Sequence, residues 1–262
     1  MMLTGSGKEA AAPASMQLNL FQWDLLAVGN GYRSLASLDF SQAMGQFIRV
    51  LDALPNHQAA GEGLRTTQYW QETFETLPTL EGEKAVAYLW QRLRTFAFDE
   101  SENDRALRTN LLRQLQTVME HAGVDYLPPD LCHGFLSLQL REYEAAENQL
   151  RSLMEIFPED GLLYGYLADT LWLQKRRELA NSFYALALLL APDLMANHTV
   201  CNQRLATIIA GHGAALAPIY GYLDGVLPLV EQEIAMATEE AGIYAHYYGR
   251  WNGPGIAATM RL

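Results

Sequence analysis

Our fold prediction starts from residues 166–192, the stretch "YLADTLWLQKRRELANSFYALALLLAP". It sets alanines and aromatic residues at helical spacing and stops at Pro192. A proline ends a helix because it has no backbone N–H to donate and its ring clashes with the preceding turn. The stretch is apolar enough to form core and contains no recognisable catalytic motif, so it predicts packed helices.

The same pattern occurs earlier in the chain at a shift of 34 residues, where Ala180 falls on Ala146. A third copy matches the second closely. The segments "GYRSLASLDFSQAMGQFIRVLDALP" (31–55) and "GFLSLQLREYEAAENQLRSLMEIFP" (134–158) share glycine, aromatic, serine, leucine and alanine positions and the closing proline. Self-similarity at a fixed period of this length is the sequence signature of a repeat architecture.

The pattern resembles the tetratricopeptide repeat, in which W-x2-L-G-x2-Y is followed by A-x3-F and P over 34 residues. The best copy carries Tyr164, Leu167, Ala168, Leu171, Ala180, Tyr184 and Pro192. The other two keep Gly31 or Gly134, Ala43 or Ala146, Phe47 or Leu150, and Pro55 or Pro158, but lack the leading aromatic residue and leucine. The resemblance implies an all-α fold, an α-solenoid of antiparallel helical hairpins forming a tetratricopeptide-like superhelix.

The resemblance predicts a helical repeat domain over residues 16–240, with a terminal segment on either side of it. The clearest repeats are predicted at about 24–57, 127–160 and 161–194, with degenerate helices over 58–126 and a helical C-terminal cap over 195–240. Within the degenerate part, apolar spacing predicts helices at about 58–77, 81–97 and 102–122, the last opening with a capping signal at Ser101 and ending at Gly123. Residues 1–15 are expected to be disordered and 241–262 to form an irregular tail.

The charge excludes several classes of partner. The chain has 30 acidic and 18 basic residues and a net charge of −12, which argues against binding to nucleic acid or to an anionic membrane surface. The weakly charged run over 205–230 is interrupted by glycines and prolines, so no membrane insertion is expected. Residues 1–15 lack the apolar segment of a secretory signal, and two cysteines are too few for a disulfide framework. We therefore predict a cytoplasmic protein.

No residue pattern points to a catalytic site or a cofactor. The sequence contains no HExxH, GxSxG or CxxC motif, and "TGSGKEA" (4–10) lacks the first glycine and the Ser/Thr of a phosphate-binding loop. The alternative is a metal-binding protein or enzyme in the C-terminal segment, built on His198, Cys201, His212 and His246. His198 and Cys201 stand three apart and could share a helix face and bind zinc. We favour buried structural roles for them, and no metal or cofactor is predicted.

The resemblance implies that the first helices of the hairpins line a concave groove that binds peptides or helices. The corresponding positions are Val28, Tyr32, Leu35, Leu131, Phe135, Leu138, Leu162, Gly165, Asp169 and Trp172. They include no Lys, Arg or Asn that could clamp a carboxylate. An apolar groove with one acid suits an amphipathic helix or an apolar extended segment of a protein partner, with Phe135 and Trp172 as anchors.

These features predict a non-catalytic protein–protein interaction scaffold or adaptor. Two alternatives concern the groove itself, because its apolar residues could be covered by later helices of the same chain or by a second copy. A further alternative is a self-associating structural protein, a homo-oligomer joined through its end caps.

Overall fold

The computed structural model describes residues 22–229, and in this range the chain is mostly helical. The described part contains twelve α-helices: α1 (Trp23–Ala36), α2 (Phe40–Ala53), α3 (Gln58–Thr76), α4 (Glu83–Thr95), α5 (Glu102–Ala122), α6 (His133–Gln139), α7 (Tyr143–Ile156), α8 (Gly161–Leu173), α9 (Arg177–Leu190), α10 (Pro192–Ala196), α11 (Gln203–His212) and α12 (Ala217–Leu223). The predicted all-α class is confirmed for these residues. The predictions for 1–15 and 241–262 lie outside them.

Three helical hairpins, α1–α2, α6–α7 and α8–α9, share one local geometry. At the turn of each hairpin a non-glycine residue has a positive φ: Leu38 (61°), Arg141 (64°) and Lys175 (69°). The amide of the following residue donates to a carbonyl in the last turn of the first helix in all three, over 2.9, 2.8 and 2.9 Å. The sequence repeat is therefore also a repeat of backbone conformation.

Each hairpin also ends in the same way. The residue after the second helix, Leu54, Phe157 or Ala191, leaves the helical conformation with a φ of −133°, −124° or −143°. A proline follows each of them in the sequence, and the residue before a proline is driven out of the helical region by clash with the proline ring. The closing prolines thus end the helices, as the sequence predicts.

The shared turn supports a stability prediction at Arg141. An L-residue in the left-handed region carries a conformational cost of about 1 kcal/mol that glycine avoids. Because the side chain is exposed, we expect Arg141→Gly to raise the free energy of unfolding by about 0.5–1 kcal/mol and Arg141→Val to lower it. Urea denaturation measures both changes, with Arg141→Lys as the control that keeps the cost. A glycine variant no more stable than wild type would contradict the prediction.

Small residues on the first helices make room for large side chains on the second. A Cβ on Gly31 would lie 2.6 Å from the ring of Phe47, and a Cβ on Gly63 of α3 would clash with the same ring. In the second hairpin a Cβ on Gly134 would lie 2.5 Å from Leu150. Phe47 and Leu150 are fully buried. This small-to-large pairing lets the helices of the first two hairpins pack closely.

The helices of the middle segment lie close to their predicted positions. Ser101 caps α5 by accepting a hydrogen bond from the amide of Asp104 (3.1 Å), and Gly123 ends it in the left-handed conformation with a φ of 64°. The helix does not simply continue the stack, because it packs back against α1. Asn110 Nδ2 donates to the carbonyl of Ala36 (2.7 Å).

The start of the second repeat differs from the prediction. Where a full first helix was expected from about residue 127, a short antiparallel ladder pairs β1 (Tyr126–Leu127) with β2 (Leu131–Cys132). The two prolines between the strands cannot donate backbone hydrogen bonds. Helix α6 consequently begins only at His133 and is 7 residues long.

The buried apolar side chains form two clusters, one formed mainly by α1–α5 and the other by α7–α12. Phe135 of α6 contacts both. None of the helices in residues 22–229 has the length and hydropathy needed to cross a bilayer.

Candidate functional site

Most of the residues predicted to line the groove are buried. Among the ten predicted positions, four of those with almost no exposed surface are Leu35 (1%), Leu131 (0%), Leu138 (6%) and Asp169 (2%). Val28, Leu162 and Gly165 are buried as well. Other parts of the chain cover these positions: α5 packs on α1, and residues after α9 lie on α8. In the described structure these side chains therefore face the chain itself, and their role in binding a partner stays a prediction.

Two aromatic residues predicted to line the groove, Tyr32 and Phe135, are partly exposed but already contact other parts of the chain. The Tyr32 hydroxyl donates to the carbonyl of Ala59 (3.0 Å). The ring of Phe135 lies between those of Trp90 and Tyr166, with centroid distances of 5.6 and 4.8 Å. These rings join neighbouring helices and leave only part of their surface for another molecule.

Trp172 keeps an accessible face at the C-terminal end of α8. It is partly exposed, and its neighbour Leu173 is 41% exposed. The guanidinium of Arg177 lies 5.3 Å from the centre of the Trp172 ring, within the range of a cation–π interaction. Trp172 and Leu173 together present an apolar surface beside a positive charge.

Asp169 is the acid of the predicted groove, and its carboxylate is the centre of a buried hydrogen-bond cluster. It accepts hydrogen bonds from the Tyr184 hydroxyl, from His198 Nε2 (2.6 Å) and from the backbone amide of Cys201 (2.7 Å). These donors satisfy the oxygen atoms of the buried carboxyl group. The three donors come from α9 and from the segment that follows α10.

The burial of this cluster keeps the Tyr184 hydroxyl and the Cys201 thiol protonated. Burial raises the pKa of the Tyr184 hydroxyl well above its ordinary value, and the negative charge of Asp169 acts in the same direction. Burial, with Asp169 adding to it, raises the pKa of the Cys201 thiol to about 12. At neutral pH Tyr184 therefore remains a donor, and Cys201 is not a thiolate nucleophile.

Residues 192–202, which follow α9, cross the face of α8 and are named the strap. Met195 and Val200 are its buried apolar residues. A Cβ on Gly165 would lie 2.8 Å from Met195 Sδ, so the strap comes this close only because α8 has a glycine there. A cavity of about 260 Å3 remains between the strap and α11. The strap occupies the place that a partner was expected to take on the last hairpin.

The described residues considered as metal ligands make contacts within the chain and are not arranged as a metal site. His198 contacts Asp169 through its ring nitrogen, and His212 stacks on Tyr220 with ring centroids 3.7 Å apart. Over residues 22–229, no group of three or more His, Cys, Asp or Glu side chains is arranged to hold a metal ion. His246 lies outside this range. The interpretation of His198 and Cys201 as structural residues agrees with these contacts.

Sequence reasoning considered Asp169 apart from His198 and Cys201 and missed that the three residues meet. The usable signal was the position of Asp169 as the only charged residue of α8, in an otherwise apolar sequence. A buried carboxylate needs hydrogen-bond donors, but the sequence does not show which later residues supply them. Comparison of the chain with protein-family models, curated proteins and solved structures found no match.

Proposed function

We propose that this chain is a non-catalytic protein-interaction scaffold, an α-solenoid of tetratricopeptide type acting in the cytoplasm, that binds an apolar or amphipathic segment of a partner protein. The observation that carries the proposal is the one turn geometry shared by Leu38, Arg141 and Lys175 in three hairpins, at positions that match the repeat pattern in the sequence. Stacked helical hairpins provide extended surfaces that are suited to binding other proteins.

The surface that best fits such binding is the end of α8, where Trp172 and Leu173 are accessible. Tryptophan is among the residues that contribute most to protein interfaces. The adjacent Arg177 adds a positive charge and donors. An apolar segment with an acidic residue next to it would complement this surface.

A photo-crosslinking experiment tests the proposal. A photoreactive amino acid is placed at Leu173 of the full-length chain, and the matched control carries it at Glu155, an exposed position on α7. We expect a dominant adduct with one partner protein from position 173 and at least tenfold less of it from position 155. Adding Trp172→Ala to the position-173 variant should reduce the adduct several-fold. Equal adducts from both positions, or none, would contradict the proposal.

Self-association is the second candidate, because exposed leucines lie near both ends of the described range. Leu25 and Leu26 on α1 are 61% and 58% exposed, and Leu223 on α12 is 59% exposed. Contacts between unlike ends of identical chains produce rings or filaments. With the photoreactive amino acid at Leu223 instead, this candidate predicts an adduct with the mass of two copies of the chain.

A further inference from the structure

We infer that the strap is a displaceable internal occupant of the α8 face, and that a partner segment which replaces it must combine an apolar side chain with hydrogen-bond donors for Asp169. The inference rests on the proposed function and adds a regulatory step to it. In the described structure the last hairpin is closed by its own chain, and binding at this face requires the strap to leave.

The apolar half of the strap's contacts is centred on Met195, which lies in a preformed notch. Met195 is fully buried, and it lies against Gly165, where the missing Cβ leaves the space for its sulfur atom. The ring of His198 follows along the same face, 5.4 Å from the ring of Tyr166 between centroids. The notch would accept a flexible apolar side chain of similar size from another segment.

The polar half is centred on Asp169. Two of its three donors, His198 Nε2 and the Cys201 amide, belong to the strap, and only Tyr184 belongs to the hairpin. When the strap leaves, the carboxylate keeps one donor. A buried charged group without its donors is costly, so the segment that takes the strap's place must bring donors of its own. This requirement makes Asp169 the specificity-determining residue of the face.

The structure of the strap also favours its local opening at a lower free energy than that of the hairpins. Apart from the five residues of α10 it has no regular structure, and the cavity between it and α11 removes packing partners from one side. Segments with few regular hydrogen bonds open locally at a lower free energy than packed helices. Because the strap is covalently tethered, it competes at an effective concentration of about millimolar. A partner segment must bind the α8 face tightly enough to overcome this competition.

Hydrogen exchange on the full-length protein tests the opening. Met195→Ala removes the buried contact, and Leu194→Ala changes the neighbouring exposed residue as the matched control. We expect the Cys201 amide to exchange at least tenfold faster in Met195→Ala, with the amides of α8 and α9 unchanged and Leu194→Ala equal to wild type. If the Cys201 amide exchanges only together with α8 and α9, the strap does not open separately and the inference fails.

A peptide added in trans tests the vacated face. The probe is a labelled synthetic peptide of residues 192–202, "PDLMANHTVCN", carrying Cys201→Ser to prevent oxidation. It should bind the full-length Met195→Ala protein at least tenfold more tightly than wild type, and the same peptide with the Met195→Ser and His198→Ala changes should lose this binding. Equal binding to both proteins would overturn the inference. Neither the hydrogen-exchange nor the peptide-binding measurement uses the crosslinking partner. A negative crosslinking result at position 173 therefore contradicts the proposed function, whereas negative exchange and binding results contradict the inference about the strap.

Discussion

Replacing Asp169 by alanine is expected to lower the free energy of unfolding by about 3–5 kcal/mol, because three donors lose their acceptor and each buried unsatisfied donor costs about 1–3 kcal/mol. The change leaves the Tyr184 hydroxyl, the His198 ring nitrogen and the Cys201 amide without their acceptor. Each buried donor left unsatisfied adds to the loss. Urea denaturation followed by circular dichroism gives the value.

The control for this prediction is Asp193→Ala, which removes an exposed aspartate from the strap. Its effect should stay within about 0.5 kcal/mol of wild type. Asp169→Asn, which keeps the shape and one acceptor oxygen, should fall between the two. An Asp169→Ala protein within about 1 kcal/mol of wild type would show that the cluster does not hold the strap.

Replacing Phe47 by alanine is expected to cost about 3–5 kcal/mol, the usual range for a buried phenylalanine. The ring is fully buried in the space that Gly31 and Gly63 leave open. Neither glycine has a side chain that could move into the cavity, so little of the loss should be recovered. The same denaturation experiment measures it.

The matched control is Ile48→Ala, at the next position of α2, where the side chain is 43% exposed. It should cost less than about 1 kcal/mol. Phe47→Leu should recover most of the stability, since Leu150 fills the equivalent space against Gly134 in the second hairpin. A loss at Ile48 equal to that at Phe47 would show that the small-to-large contact is not what holds the hairpin.

The features that the sequence predicts well are those determined by neighbouring residues. Pro192 ends a hairpin, Ser101 caps α5 and Gly123 stops it, because each acts through its own backbone or the adjacent turn. The pairing of Gly134 with Leu150 follows from the repeat pattern. The fold class and most helix boundaries depend on such local signals.

The surface exposed by the hairpins could not be predicted in the same way. Leu35 and Leu138 have the spacing of apolar groove residues, but the same spacing describes residues of a core. Their burial depends on where α5 packs, which is decided by contacts between distant parts of the chain. Two of the three donors to Asp169, His198 and Cys201, lie 29 and 32 residues further along the chain. No local sequence pattern connects them with Asp169.

The return of α5 to α1 changes how the N-terminal half responds to the loss of a unit. In a linear array each repeat touches only its neighbours, so a terminal unit can be removed at the cost of one interface. Here the hydrogen bond from Asn110 to Ala36 joins residues 74 positions apart, and losing α1 would also uncover α5. We therefore expect the five helices from Trp23 to Ala122 to unfold together, so that the first hairpin cannot be exchanged as an independent module.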